Sequence, residues 1–407
     1  MPIILTKGIV GEQAMGVDKI RLAAAQAVLD TAVDRGDLSV AMGMVGDSSG
    51  VVMTHASGHS DASANEPVAP DAIFAIASMT KLVTTIAALQ LVEDATLDLD
   101  VPIDAYLPQL AALSVLQGFD DDGAPMFVDA HRAPTARELI THTSGFVYSI
   151  WNEDALTLES KGLSSGVGSG SKMLNAPLAF QPGTAWEYGI GIDWLGVLIE
   201  KISGERLETY FQEYIFGPLG MTDTTFELQQ EKLSRALVMM MRVNGELVES
   251  GVMQPEATDP GSMEFYGGGG GLFSTLKDYG LLLTTLLNDG RHGDATLLRK
   301  ETVDSMFENH IGALEITPVE AQMAPLSNNL DMGFGSPAKW GLGFLLHTQG
   351  TENGRSPESA SWAGLFNSYF WIDREKDLFG VFATQVLPFM DRESVAALTA
   401  FERAIYG

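Results

Sequence analysis

Apolar residues recur at helical spacing near the start of the chain. Ile20, Leu22, Ala25, Val28, Leu29 and Val33 predict an amphipathic helix over residues 17–35. Two strand-like runs follow, near 38–46 and 50–57, with Gly46-Asp47-Ser48-Ser49-Gly50 turning the chain between them. From Ser78 to about Val92 the pattern changes. Leu82, Val83, Ile86, Ala87, Leu89 and Leu91 leave little polar face, and a helix that is apolar on most of its circumference is usually buried.

The middle of the chain is mainly helical pattern broken by loops. Thr135-Ala136-Arg137-Glu138 is a capping box, and its helix is expected to stop at Gly145. Residues 162–171 form a Gly/Ser loop, a helix covers about 192–203, and Gly267 to Gly271 precede a helix of about 275–288. Residues 312–339 read as a long irregular loop packed near a pocket. Strand pattern returns at Leu365–Ile372 and Leu378–Thr384, around an Asp373–Asp377 turn. A closing helix begins at Asp391, with Val395, Leu398 and Phe401 on one face.

Strands at both ends with helices between predict an α+β fold: an antiparallel β-sheet flanked by helices, plus an inserted mostly helical domain. The expected division is 1–77 and 263–407 for a discontinuous sheet domain and 78–262 for the helical one, with the active site at their interface. A length of 407 residues suffices for such an arrangement.

Charge narrows the partners. The net charge of −29 repels phosphate backbones and anionic lipid surfaces, so neither nucleic acid nor membrane is an expected partner. With no cysteine, disulfides, thiolate nucleophiles and Cys-ligated zinc are excluded. The seven histidines form no H-x-x-x-H or H-E-x-x-H pair, so neither a metal site nor a cofactor is expected. Met1 to Lys7 carry only the apolar run Ile3-Ile4-Leu5, short of the ~7–15 residues of a secretory leader. No run approaches the ~20 residues of a membrane span, and the chain reads as cytoplasmic. Composition does not address its oligomeric state.

Serine chemistry is the remaining candidate. It needs a nucleophile, a base and donors for an oxyanion. The G-x-S-x-G pattern occurs at Gly46–Gly50, in a hairpin turn, and at Gly162–Gly166, in a loop. Neither stands between a strand and a helix, as a nucleophile elbow must. S-x-x-K occurs at Ser78–Lys81, Ser169–Lys172, Ser274–Lys277 and Ser336–Lys339. On a helix, positions three apart share a face, so the amine reaches the hydroxyl. Ser169 lies in the Gly/Ser loop, Ser336 runs into Trp340-Gly341, and Lys277 belongs to an amphipathic helix that turns it to water. Ser78-Met79-Thr80-Lys81 opens the helix that looks most buried. Burial disfavours an ammonium ion, which lowers the pKa of Lys81 from its usual ~10.4 toward that of a base.

Further segments carry a resemblance. Ser78-Met79-Thr80-Lys81, Glu138–Phe146 with its His142-Thr143-Ser144-Gly145, Phe180–Tyr188, Tyr188–Gly196, the glycine run and Trp340-Gly341-Leu342-Gly343-Phe344 together resemble the β-lactamase-like serine hydrolases. That superfamily contains class C β-lactamases, DD-peptidases and family VIII carboxylesterases. The similarity spans about 40 to 390 and implies the β-lactamase/transpeptidase-like fold. It implies Ser78 as the acylated serine, Lys81 as its motif lysine and Tyr188 as the tyrosine that exchanges protons with nucleophile and leaving group. A phenol and an amine in one pocket titrate as a pair, and either could be the base. The backbone N–H groups of Ser78 and Leu365 would form the oxyanion hole.

Two departures from the antibiotic-recognising members shape the expected substrate. Ile190 stands where their Tyr-x-Asn motif has asparagine, and Trp362-Ala363-Gly364 stands where they carry Lys-Thr-Gly. An indole in place of an ammonium removes an anion anchor and adds apolar surface. The Trp-x-Gly variant looks like the family VIII carboxylesterases, which implies neutral, fairly hydrophobic short- to medium-chain esters as small-molecule partners. Phe146, Tyr148, Trp151 and Trp186 read equally as pocket walls or core, as do Ala363 and Gly364 as strand or pocket edge. His142 reads as a structural hydrogen-bonder, and Asp193 as a residue that orients local backbone. A β-lactamase or DD-peptidase, an acyltransferase using the same acyl-enzyme and a silent binding protein on this scaffold are the competing functions.

A fluorophosphonate probe followed by mass spectrometry is expected to give one adduct, on Ser78. An adduct on Ser48, Ser164 or Ser274 refutes the choice of nucleophile.

Overall fold

A computed structural model describes residues 17–59, 67–331, 333 and 335–407, and the backbone of residues 9–10. The first seven residues, on which the leader expectation rests, lie outside the described residues.

Both ends of the chain build one sheet. β1 (Ile9–Val10), β2 (Val40–Asp47) and β3 (Gly50–Gly58) come from the N-terminal part. β4 (Ala338–Trp340), β5 (Leu345–His347), β6 (Ser359–Gly364), β7 (Ser368–Asp373) and β8 (Leu378–Ala383) come from the C-terminal part. Among the described residues they form an eight-stranded sheet in the order β1-β3-β2-β8-β7-β6-β5-β4. Every pairing is antiparallel. The two ends meet where β2 pairs β8, with Met42 opposite Ala383 and Gly46 opposite Phe379.

Helices cover both faces, which is why β2, β6, β7 and β8 are buried at every position and show no apolar–polar alternation. The named helices are α1 (Lys19–Asp34), α2 (Thr80–Glu93), α3 (Ala136–Ile140), α4 (Gly191–Ser203), α5 (Leu276–Leu287) and α6 (Arg392–Tyr406). α1 and α6 pack together on one face of the sheet. A side chain at Gly43 of β2 would sit 2.6 Å from Phe401 of α6 and 2.8 Å from Leu29 of α1, so glycine permits this approach. The neighbouring Met44 points the other way, to Gly280 of α5. α2 and α3 both pack against α4. Every residue of α2 from Thr80 to Leu89 is buried, as its apolar circumference predicts.

Four local expectations are corrected. Ser78 lies in a short 3₁₀ turn, Ala77–Met79, and α2 proper begins at Thr80. The capping box at Thr135 forms as expected, but α3 ends at Ile140 rather than Gly145, and His142 takes φ +59°. The middle of the chain holds two hairpins that its helical pattern hid: Ser114–Phe119 with Pro125–Asp129, and Met240–Val243 with Glu246–Glu249. Their strands are short, and Met126, Phe127 and Val128 are all exposed, so no alternation marks the first. β6 precedes the strand expected at 365–372, because its Ser-Ala-Ser-Trp-Ala-Gly sequence is small and covered on both faces.

Candidate active site

The turn that carries Ser78 is fixed from several sides. Ala77 adopts φ +43°, a left-handed conformation that costs an alanine energy and persists only where its surroundings hold it. The Ile76 N–H donates to the Leu272 carbonyl (3.0 Å), the Leu272 N–H to Thr80 Oγ1 (3.2 Å) and the Tyr279 hydroxyl to the Met79 carbonyl (3.0 Å). β6 lies against the turn: a Cβ on Gly364 would fall 2.5 Å from the Ile76 carbonyl oxygen. Only glycine allows that approach, and Leu365, half-buried, packs on the small apolar cluster that includes Ala77. Ser78 itself is partly accessible.

One turn along, Lys81 is fully buried. Its Nζ stands 3.1 Å from Ser78 Oγ, 3.1 Å from the Tyr148 hydroxyl and 2.5 Å from the Gly269 carbonyl. Burial lowers its pKa from 10.5 to about 7, against the opposing pull of Asp193. Asp193, at the start of α4 and 2% exposed, does not touch the amine but accepts from two groups that do. The Gly269 N–H donates to Oδ1 (2.9 Å) and the Tyr148 hydroxyl to Oδ2 (3.5 Å). Desolvation raises the pKa of its own carboxyl group.

The glycine run explains itself here. A Cβ on Gly269 would lie 2.3 Å from Asp193, and one on Gly268 would lie 2.8 Å from the Ile192 carbonyl. At Gly268 and Gly269 the backbone therefore threads between α2 and α4 to reach Lys81, whereas Gly270 is exposed beside Ala77 and the Ser78 backbone.

Tyr188 completes the group. Its ring centroid is 4.8 Å from Lys81 Nζ, and burial pushes its phenol well above the usual 10. Ser78 and Trp362 lie close enough to favour its ionised form, although the hydroxyl makes no aligned hydrogen bond among the described residues. The indole N–H of Trp362 is likewise buried without a protein partner. Around Tyr188 stand His142 (4.6 Å between centroids), Trp362 (4.9 Å), Tyr148 (5.3 Å) and Trp151 (5.5 Å). Trp340 extends this wall, 4.4 Å from Trp362, and half-buried Trp186 lies 5.7 Å from Trp340. His142 takes the Gly189 N–H on Nδ1 (3.4 Å), and burial holds its pKa well below 6.5. It is a neutral ring that braces the Tyr188 segment.

The sequence candidates thus separate. Ser78, Lys81, Tyr148, Tyr188, Trp362 and Leu365 converge, with Ala363 and Gly364 at the end of β6 beside them. Trp186 joins through Trp340. Phe146, 1% exposed, packs on Trp194 of α4, and Ile190 is buried at the head of that helix. The other serines lie elsewhere. Ser48 Oγ donates to Asp377 (2.7 Å), Ser274 is buried against Thr224 (2.8 Å), and Lys277 is exposed. Sequence reasoning passed over Trp340 as a site residue, although Trp340-Gly341 was visible as a motif, and it offered the glycine run as a close approach to substrate rather than as the Gly269 carbonyl's contact with Lys81. It gave Tyr148 only a wall, whereas its hydroxyl holds the lysine. Among the described residues no group of three His, Cys, Asp or Glu is placed to hold a metal ion, and no helix is long and apolar enough to cross a membrane.

Comparison with known proteins places the chain. The Beta-lactamase family matches residues 25–404. The lovastatin esterase of Penicillium rubens is 34% identical over 395 residues, covering 92% of this chain and 96% of that protein. Monacolin J acid methylbutanoyltransferase of Aspergillus terreus is 34% identical over 354 residues, covering 84% of this chain and 83% of that one. The solved structure of the LovD6 mutant of simvastatin synthase from Aspergillus terreus superposes with a TM-score of 0.80 at 32% identity, covering 97% of this chain and 98% of that one.

Lys81 also links stability to pH. The unfolded chain keeps its proton up to about 10.5 and the folded chain only up to about 7. The folded state therefore binds fewer protons between these values, and its stability rises with pH there. In urea titrations at about pH 7 and about pH 10, the stability of the natural protein minus that of Lys81→Met is expected to increase with pH. A constant difference means that the amine is not desolvated.

Proposed function

The chain belongs to the β-lactamase family and is a serine hydrolase, and from that premise we propose that it opens neutral, fairly hydrophobic short- to medium-chain esters through an acyl-enzyme on Ser78. The observation that carries this reading is the fully buried Lys81 amine 3.1 Å from Ser78 Oγ. With a pKa near 7, a large share of that amine is neutral at neutral pH. A neutral amine has two protons and one lone pair. The Gly269 carbonyl takes one proton, and the Tyr148 oxygen, whose own proton goes to Asp193, takes the other. The lone pair is left facing the Ser78 hydroxyl. Tyr188, whose phenol burial keeps protonated, is the donor to the leaving group rather than the first base.

Ser78 Oγ adds to the ester carbonyl while Lys81 takes its proton. The backbone N–H groups of Ser78 and Leu365 hold the oxyanion. The alkoxide leaves with a proton supplied through Tyr188, and water repeats the sequence on the acyl-enzyme. In this reading Ser78, Lys81 and Tyr188 of the helical unit (78–262) work against the C-terminal end of β6 in the sheet unit (1–77 and 263–407). Trp362 supports neutral esters, since an indole offers no counter-charge to a carboxylate. The esterase and transferase names of the 34%-identical relatives support acyl–oxygen chemistry. The transferase among them also favours a second reading, in which an alcohol rather than water takes the acyl group.

p-Nitrophenyl esters are expected to turn over substantially faster than a chromogenic cephalosporin; the reverse order sinks the esterase preference. Added alcohols that divert product into new esters establish transfer. The active form carries a neutral amine, so kcat/KM should rise with pH through about 7 and then level off. Lys81→Ala should lower kcat by ~10²–10⁴-fold, and near-normal turnover removes the lysine from the mechanism.

A further inference from the structure

Two chemically different walls flank Ser78. One is the aromatic group of Tyr188, Trp362, Trp340 and Trp186. The other is a small apolar cluster joined to the main core through Leu326 and Leu365. Ala77, Met239, Phe366 and Leu387 are its buried members, and Ala75, Met241, Leu326 and Leu365 pack on it while remaining half-exposed. Its side chains come from separate segments whose backbones are tied together. The Gln385 amide brackets Ala75 (3.0 and 3.2 Å), and the Met240 N–H donates to the Gln385 carbonyl (2.8 Å). The Val386 N–H donates to the Phe366 carbonyl (3.1 Å), and the Phe389 N–H to the Leu326 carbonyl (2.9 Å). The surface is thus built before any ligand arrives, and the cluster on which its partly buried apolar members pack includes Ala77, the residue next to the nucleophile.

We propose that this cluster is the acyl subsite: the acid portion of the ester lies against Ala77, Met241, Leu326 and Leu365, and the alcohol portion along the aromatic wall. The inference rests on the acyl-enzyme reading above. When the Oγ–carbon bond forms, the attacked carbon carries Ser78 Oγ, the oxyanion, the leaving oxygen and the acyl carbon. The oxyanion goes to the N–H groups of Ser78 and Leu365. The leaving oxygen must face the phenol that protonates it as its bond to carbon breaks, and Tyr188 belongs to the aromatic wall. The acyl chain takes the remaining direction, and the apolar surface that includes Ala77 is the one assigned to it. Two methionines in the cluster suit chains of varied shape, since an unbranched thioether repacks readily.

The test measures two ratios: kcat/KM for p-nitrophenyl hexanoate over p-nitrophenyl acetate, and kcat/KM across acetate esters of small and bulky alcohols. Leu326→Trp should lower the first ratio at least ~10-fold, the order of one or two methylenes lost from an apolar pocket, and change the second less than twofold. Trp186→Ala should do the opposite. An exchange of these effects, or no change in either ratio, overturns the assignment. Met241→Phe, which fills the same space from another segment, serves if Leu326→Trp does not fold. Fluorophosphonate labelling of Ser78 runs alongside: an unlabelled natural protein sinks the acyl-enzyme itself, whereas labelled variants with unmoved ratios sink only the subsite.

Discussion

The structure depends on keeping one amine out of water. Lys81 lies on a helix with almost no polar face, in a layer where α4 and the glycine run close over it. Its desolvation opposes folding wherever the unfolded chain would hold the proton, fully below about pH 7 and progressively less up to 10.5. The fold carries that cost because the same desolvation turns an ordinary ammonium into a group that is partly neutral near pH 7. Removing water from the amine required replacing its hydrogen bonds. The Gly269 carbonyl and the Tyr148 hydroxyl supply them, and Asp193 holds both suppliers in place.

Several otherwise odd features follow from that arrangement. Five consecutive glycines are poor choices for a stable chain, yet two of them have no room for a side chain between α2 and α4. Ala77 carries a left-handed backbone so that the hydroxyl at 78 turns back toward the amine. Gly364 has no side chain because β6 must touch that turn. Each position trades conformational stability for the approach of two pieces of backbone. The walls are neutral by contrast with a chain of net charge −29. In the proposed reading, aromatic rings line one side and aliphatic and thioether side chains the other, which suits an uncharged substrate with two dissimilar ends.

The fold was legible where one period dominates. The amphipathic α1, the all-apolar α2 and the Asp391-capped α6 stand within a few residues of the sequence expectation, because burial on one side or on all sides writes itself directly into spacing. β6 was not legible, since a strand covered on both faces and built from small residues has no alternation to show. The first middle hairpin was hidden for a different reason: the apolar residues of its second strand, Met126, Phe127 and Val128, are exposed in succession.

The site divides along a similar line. Ser78 and Lys81 are three residues apart, and local helical geometry alone brings them within reach. The sequence by itself therefore determined which serine has a lysine beside it and, through the apolar pattern of α2, that this lysine is desolvated. The tertiary structure alone decided that Tyr148, Gly269 and Asp193 converge on the amine and that Trp340 continues the wall begun by Trp362. It also decided that Phe146 turns away into the helical layer. Those contacts join residues far apart in the chain, and their geometry depends on how the helical layer and the sheet pack, which no local pattern encodes.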